Sequence, residues 1–161
     1  MAIEVGSRVP DGTLVKVTDD GPAQVEASSF FGGRKVVLFA VPGAFTPTCH
    51  MSHMPGFVQN AEAFRAKGVD EIAVLSVNDP HVMKAWREAS GADGKVTFLA
   101  DGSARYTRAL GMDVDASDFG MGVRSKRYAA LIEDGEVKEL EVEDSPGGVS
   151  VSGADDMLAK L

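Results

Sequence analysis

A chain of 161 residues holds one ordinary domain with a sizeable core and is too short for two, and its 44% hydrophobic and 25% charged content is that of a folded protein, not a fibre or disordered tail. Its 16 basic and 24 acidic residues leave a formal charge of −8, which repels phosphate backbones and anionic lipid surfaces, so neither nucleic acid nor a membrane is an expected partner. Met1 to Arg8 show no basic region followed by an apolar run, no window approaches membrane-spanning length, and a lone thiol suits a reducing compartment, which makes the cytoplasm the default location.

In chain order, Thr13 to Val17 is expected as a short strand, Asp19-Asp20-Gly21-Pro22 as a polar turn, and Ser28 to Phe31 as a capped helical turn ended by Gly32-Gly33. Lys35 to Val41 (KVVLFAV) is nearly all apolar and β-branched, the pattern of a strand covered on both faces. It leads into a Pro42-Gly43 turn. Thr46 followed by Pro47 then signals a helix start, because Thr caps well and Pro at the first helical position loses no useful N–H. Met54, Phe57, Val58, Ala61 and Phe64 recur at helical spacing as far as Gly68, and Pro55 predicts a kink near Met51.

Glu71 to Val77 reads as a second buried strand, followed by a helix capped by Asp79, opened by Pro80 and carrying Val82, Met83, Ala85 and Trp86. Val96 to Ala100 is a further strand, and Ser103 is expected to cap a helix from Ala104 to Leu110 that Gly111 ends. Gly111 to Lys126 reads as a long loop, of a length that is often functional. Tyr128 to Glu133 and Val137 to Val142 flank Asp134-Gly135, a type I′ hairpin signal, and a short helix closes the chain between Ser152 and Leu158. The sum is an α/β fold, a mixed central sheet with helices on both faces, over residues 1–161 as one domain. Ligands of such sheets bind beyond the carboxyl ends of strands, where the loop after Val41 lies.

That loop holds the chain's one cysteine. Unpaired cysteines are usually inert and buried, so Cys49 is structural, reactive or intermolecular on composition alone. Its position tilts the balance. At the third helical position its sulfur lies beside backbone N–H groups with no intrahelical partner, at the positive end of the helix dipole, where a thiolate is favoured. Arg127 shares a strand face with Ala129 and Leu131, and a cation that close to a buried face needs an anion. Cys49, His50 and His53 invite a metal reading, but no further pair completes a closed four-ligand set, and neither metal nor cofactor is expected.

Pro42-Gly43-Ala44-Phe45-Thr46-Pro47-Thr48-Cys49, followed by His53-Met54-Pro55-Gly56-Phe57, resembles the active-site loop of the peroxiredoxins, most nearly the type 5 (plant type II) branch. Those are thiol peroxidases on a thioredoxin-like fold, and the resemblance extends to Ser76-Val77-Asn78-Asp79-Pro80 and Arg124-Ser125-Lys126-Arg127-Tyr128. It implies that Cys49 attacks one oxygen of a hydroperoxide and becomes a sulfenic acid, that Thr46 hydrogen-bonds the sulfur and the peroxide, and that Pro42 screens the thiolate. It also implies an arginine aimed at the sulfur. Arg127 ranks ahead of Arg124 because it directly precedes the aromatic residue that opens its strand, as in the family; His53 is expected as a polar packing residue.

The places where many members carry a second, resolving cysteine read Val149-Ser150-Val151-Ser152 and Ile72-Ala73-Val74 here, without sulfur. The chain therefore resembles one-cysteine members, whose partner is an external thiol, either glutathione with glutaredoxin or thioredoxin. The family analogy also suggests a homodimer, with Phe45, Phe119 and Met121 at the contact. A non-catalytic thioredoxin-like module for redox sensing or binding is the competing class. Thr46, where a thioredoxin has its first cysteine, argues against dithiol exchange.

Overall fold

The computed structural model describes residues 2–145 and 148–161. The strands are β1 (Thr13–Thr18), β2 (Gly21–Glu26), β3 (Lys35–Val41), β4 (Glu71–Ser76), β5 (Thr97–Ala100), β6 (Asp113–Asp115), β7 (Val123–Ser125), β8 (Tyr128–Glu133) and β9 (Glu136–Val142). The α-helices are α1 (Ala27–Phe31), α2 (Met54–Gln59), α3 (Ala61–Ala66), α4 (Pro80–Ser90), α5 (Arg105–Ala109) and α6 (Ala154–Leu158). The large sheet runs β2-β1-β5-β4-β3-β8-β9, with β3, β4 and β5 parallel and the other pairings antiparallel. This is the mixed sheet that the alternating elements predict. Among the described residues no helix is long and apolar enough to cross a membrane.

Strand β3 shows why the run KVVLFAV is apolar throughout. Side chains alternate across a strand, so Val37, Phe39 and Val41 enter one core with Phe57, Phe64, Met83, Trp86 and Met157, while Val36, Leu38 and Ala40 enter a second with Phe30, Phe31, Tyr106 and Leu110. Helices α2, α3, α4 and α6 thus cover one face, and α1 and α5 the other. Each large side chain so buried contributes roughly 1.5–3 kcal/mol. At the hairpin between β8 and β9, Asp134 (φ 48°) and Gly135 (φ 76°) both have positive φ, as a type I′ turn requires.

Several elements differ from the sequence reading. Gly21 and Pro22 open strand β2 instead of closing a turn; β2 is a sheet edge, where proline's missing N–H leaves no ladder bond unmade. The helix after Cys49 is broken at Asn60, whose side-chain amide donates to the Gly56 carbonyl at 2.7 Å. In α4, Met83 and Trp86 are buried, while Val82 and Ala85 face outward. Asp101, not Ser103, caps α5: Ala104 is left-handed (φ 58°), and the Asp101 carboxylate accepts from the Tyr106 and Thr107 N–H groups at 3.2 and 2.7 Å. The segment from Gly111 to Lys126 contains the small ribbon β6–β7, joined through a 3₁₀ turn at Ser117–Phe119.

Candidate active site

The site is built where β3 ends. Gly43 lets the turn pack closely, because a Cβ there would lie 3.0 Å from Arg124 Nη1 and 3.2 Å from Thr46 Cγ2 and would press both side chains aside. The Ala44 N–H donates to Asn78 Oδ1 at 3.0 Å, tying the turn to the loop that follows β4. Phe45 is left-handed (φ 63°), a strained state for a bulky residue, and its ring lies 5.5 Å from that of His50. The helix then starts at Pro47, with the Thr46 carbonyl accepting from the His50 N–H at 2.9 Å and Cys49 third in the helix.

The next turn departs from α-helix. Cys49–His53 is a π-helical turn, closed by the Met54 N–H donating to the Cys49 carbonyl. Pro55 supplies the reason: its ring cannot tolerate the Met51 carbonyl at α-helical distance and has no N–H to bond it, and a widened turn resolves both. The predicted kink thus takes a definite form.

Three of the four proposed site residues converge on one sulfur. The Thr46 hydroxyl lies 2.8 Å from Cys49 Sγ and 2.7 Å from the Gly43 carbonyl oxygen, so one O–H faces two acceptors. Arg127 donates from Nη2 to the same sulfur at 2.9 Å. The sheet register puts it there: Ala40 of β3 pairs with Tyr128 of β8, so the residue just before β8 lies beside the end of β3. Both Cys49 and Arg127 are buried, and a buried guanidinium stabilises negative charge on the atom it touches. Pro42, the fourth, lines with Thr46 and Arg127 a cleft of about 440 Å³, whose walls are completed by apolar groups including Val114, Phe119 and Met121. Cys49 lies just behind that wall. Arg124 also lines the cleft but bonds the Met121 and Val77 carbonyls at 2.8 and 3.2 Å and not the sulfur.

His53 does more than pack. Its Nε2 lies 2.8 Å from the Ser152 carbonyl, which can only accept, so Nε2 carries the proton and Nδ1 presents a lone pair to Arg127 Nη1 at 2.8 Å. Burial lowers its pKa from the ordinary 6.5 to about 4; the Ser152 carbonyl opposes that fall and the Arg127 charge adds to it. A neutral imidazole with both nitrogens engaged orients the arginine and has no lone pair for a metal. His50 Nδ1 is likewise occupied, accepting from Trp86 Nε1 at 3.1 Å. Asn78 is a supporting residue that sequence reasoning did not assign, and His53, expected as a polar packing residue, also orients Arg127. Asn78 falls inside the Ser76–Pro80 motif, whose resemblance gave a signal without a role.

Known proteins similar to this chain in sequence and fold identify its family. The family described as Redoxin matches residues 4–158. Peroxiredoxin-2B of Arabidopsis thaliana is 50% identical over 160 residues, covering 99% of this chain and 98% of its own. Reduced Prx3 of Vibrio vulnificus, solved in complex with H2O2, superposes with a TM-score of 0.93 at 47% identity over 98% of both chains. A Burkholderia cenocepacia structure described as a thioredoxin reductase superposes with a TM-score of 0.97 at 47% identity, over 100% of this chain and 99% of that one. A single cysteine offers no dithiol pair for the exchange such a description implies. With a lone thiol held by a hydroxyl and a guanidinium on a thioredoxin-like sheet, the chain belongs to the Redoxin family as a peroxiredoxin, a thiol-dependent peroxidase.

Proposed function

We propose that Cys49 is the nucleophile of a one-cysteine peroxidase cycle, with Thr46, Arg127 and Pro42 completing the site. The observation that carries this reading is the buried sulfur between the Thr46 hydroxyl and the Arg127 guanidinium. The Cys49 thiolate attacks one peroxide oxygen; an S–O bond forms, the O–O bond breaks, and the departing oxygen takes a proton and leaves as water or an alcohol. Arg127 and Thr46 donate to the sulfur and to the charge that grows on the leaving oxygen. Pro42 closes the cleft against water. An external thiol then displaces hydroxide from the sulfenic sulfur, giving water and a mixed disulfide, and a second thiol releases Cys49.

Hydrogen peroxide is a substrate by analogy with the Vibrio vulnificus complex, and the apolar cleft wall favours alkyl hydroperoxides as well. The reductant is glutathione with glutaredoxin or thioredoxin, and the need for reduced thiol favours the cytoplasm. The working unit is a homodimer meeting around Phe45, Phe119 and Met121, where Phe119 is 83% and Phe45 46% exposed.

The test is stopped-flow oxidation of wild-type and Cys49→Ser proteins with mass spectrometry of the products. Wild type is expected to consume peroxide far faster than an ordinary thiol and to gain oxygen at Cys49, and the folded serine variant is expected to lose turnover. Turnover retained in Cys49→Ser, or oxygen added only at methionine, overturns the reading.

A further inference from the structure

We propose that Glu143 is a positioning residue for the peroxidase reaction, acting on Cys49 through Ser152, His53 and Arg127. Glu143 follows β9 directly and is buried, and its N–H donates to the Arg127 carbonyl at 2.9 Å. Its carboxylate accepts from five donors: the Ser150 N–H and hydroxyl, the Val151 N–H, and the Ser152 N–H and hydroxyl, at 2.7–3.1 Å. Burial pushes the Glu143 carboxyl up, but the Ser152, Val151 and Ser150 bonds together outweigh it and bring its pKa down to about 2. Protonation would turn one of these acceptor oxygens into a donor facing other donors, so the clip calls for the ionised carboxylate.

The clip fixes the Ser152 peptide, and the chain of contacts continues inward. The Ser152 carbonyl accepts from His53 Nε2, which selects the tautomer whose Nδ1 receives Arg127 Nη1, while Nη2 of the same planar guanidinium reaches Cys49 Sγ. Two donor directions of one rigid fork are therefore set together. If the Ser150–Ser152 segment moves, His53 loses the bond that holds its ring, and the arginine loses the support of the imidazole at Nη1. Glu143 touches neither sulfur nor cleft; its effect passes through the imidazole. In the one-cysteine reading the segment that faces Glu143 has no thiol of its own to present, and it serves instead as the fixed end of this support.

The proposal rests on Cys49 being the nucleophile, and the experiment separates the two. Single-turnover rate constants for hydrogen peroxide, the pH dependence of thiolate absorbance, and circular dichroism are measured for wild type, Glu143→Gln, His53→Leu and the double variant. Glutamine keeps the volume but turns an NH2 toward donors. Its rate constant is expected to fall roughly 10- to 100-fold, the scale of a misplacement of about 1 Å at a reacting centre, with less thiolate at a given pH. In the His53→Leu background the same substitution should change the rate by less than about twofold, the scatter of additive sites. A wild-type rate and thiolate curve in folded Glu143→Gln, or an undiminished loss on the His53→Leu background, overturns the proposal. If Glu143→Gln does not fold, Glu143→Asp decides: it keeps the charge one methylene short, a rate between those of wild type and His53→Leu supports the relay, and a wild-type rate overturns it. A wild type unreactive toward peroxide removes the Cys49 assignment itself.

Discussion

Arg127 and Arg124 stand three residues apart and line the same cleft, yet only Arg127 reaches the sulfur. Arg127→Gln is expected to slow the peroxide step by about 10²–10³, the cost of removing one preorganised donor at a reacting centre, while Arg124→Gln has a much smaller effect because both donors to the sulfur remain. Stopped-flow rates of the two variants check this, and a reversed order would reassign the arginine. His53 makes a second prediction, on stability. Unfolded histidine binds its proton below 6.5 and folded His53 only below about 4, so between these values the unfolded state holds more protons and stability falls as pH drops. The gap is worth on the order of 3 kcal/mol. Glu143, depressed from 4.5 to about 2, adds a further loss as pH falls through that lower window. Urea unfolding between about pH 7 and about pH 4.5 should show wild type losing stability and His53→Leu losing much less of it; parallel curves would refute the assignment. Cys49 was marked by its place in the first turn of a helix, whereas the roles of Thr46 and Arg127 were legible chiefly through the motifs that carry the family resemblance. Glu143 was not, since one more carboxylate after Glu139 and Glu141 shows no sign of five donors folded back onto it from residues 150–152.

At the level of elements, the π-helical turn at Cys49–His53 is expected to set the angle at which Cys49 meets Arg127. Pro55 signals it without its form, because a proline predicts a disrupted helix without saying whether the chain bends, breaks or widens. Pro55→Ala removes the ring clash and restores an N–H, so an ordinary α-helical turn becomes available and Cys49 would rotate away from Arg127 and Thr46. The expected result is unchanged or higher thermal stability with a peroxide rate at least about tenfold lower. A wild-type rate in a stable Pro55→Ala protein would show that the widened turn is incidental. Strands β3, β4 and β8 and the Asp79-Pro80 helix start were readable because burial, capping and turn chemistry agree there. The β6–β7 ribbon escaped notice because Asp113-Val114-Asp115 is short, polar and exposed. The true cap of α5 was missed because a left-handed alanine moves the helix start past Ser103.

At the scale of the whole molecule, the exposed Phe119 beside the cleft is the expected centre of contact between two copies, which a two-fold axis would let cover each other. Sedimentation at micromolar concentration should give a dimer for wild type and a monomer for Phe119→Glu. A monomeric wild type removes the proposal, and an intact dimer in the variant moves the contact elsewhere. The single thiol has a kinetic consequence. In the proposed one-cysteine cycle no second thiol of the chain can reset oxidised Cys49, and both halves of the cycle are encounters with other molecules. An internal resolving step would run at a fixed rate however much thiol surrounds it. Here the return step is first order in the outside thiol just as the forward step is first order in peroxide. The oxidised fraction at steady state therefore tracks the ratio of the two reagents, each weighted by its rate constant, and the protein in effect compares oxidant with reductant instead of counting either alone.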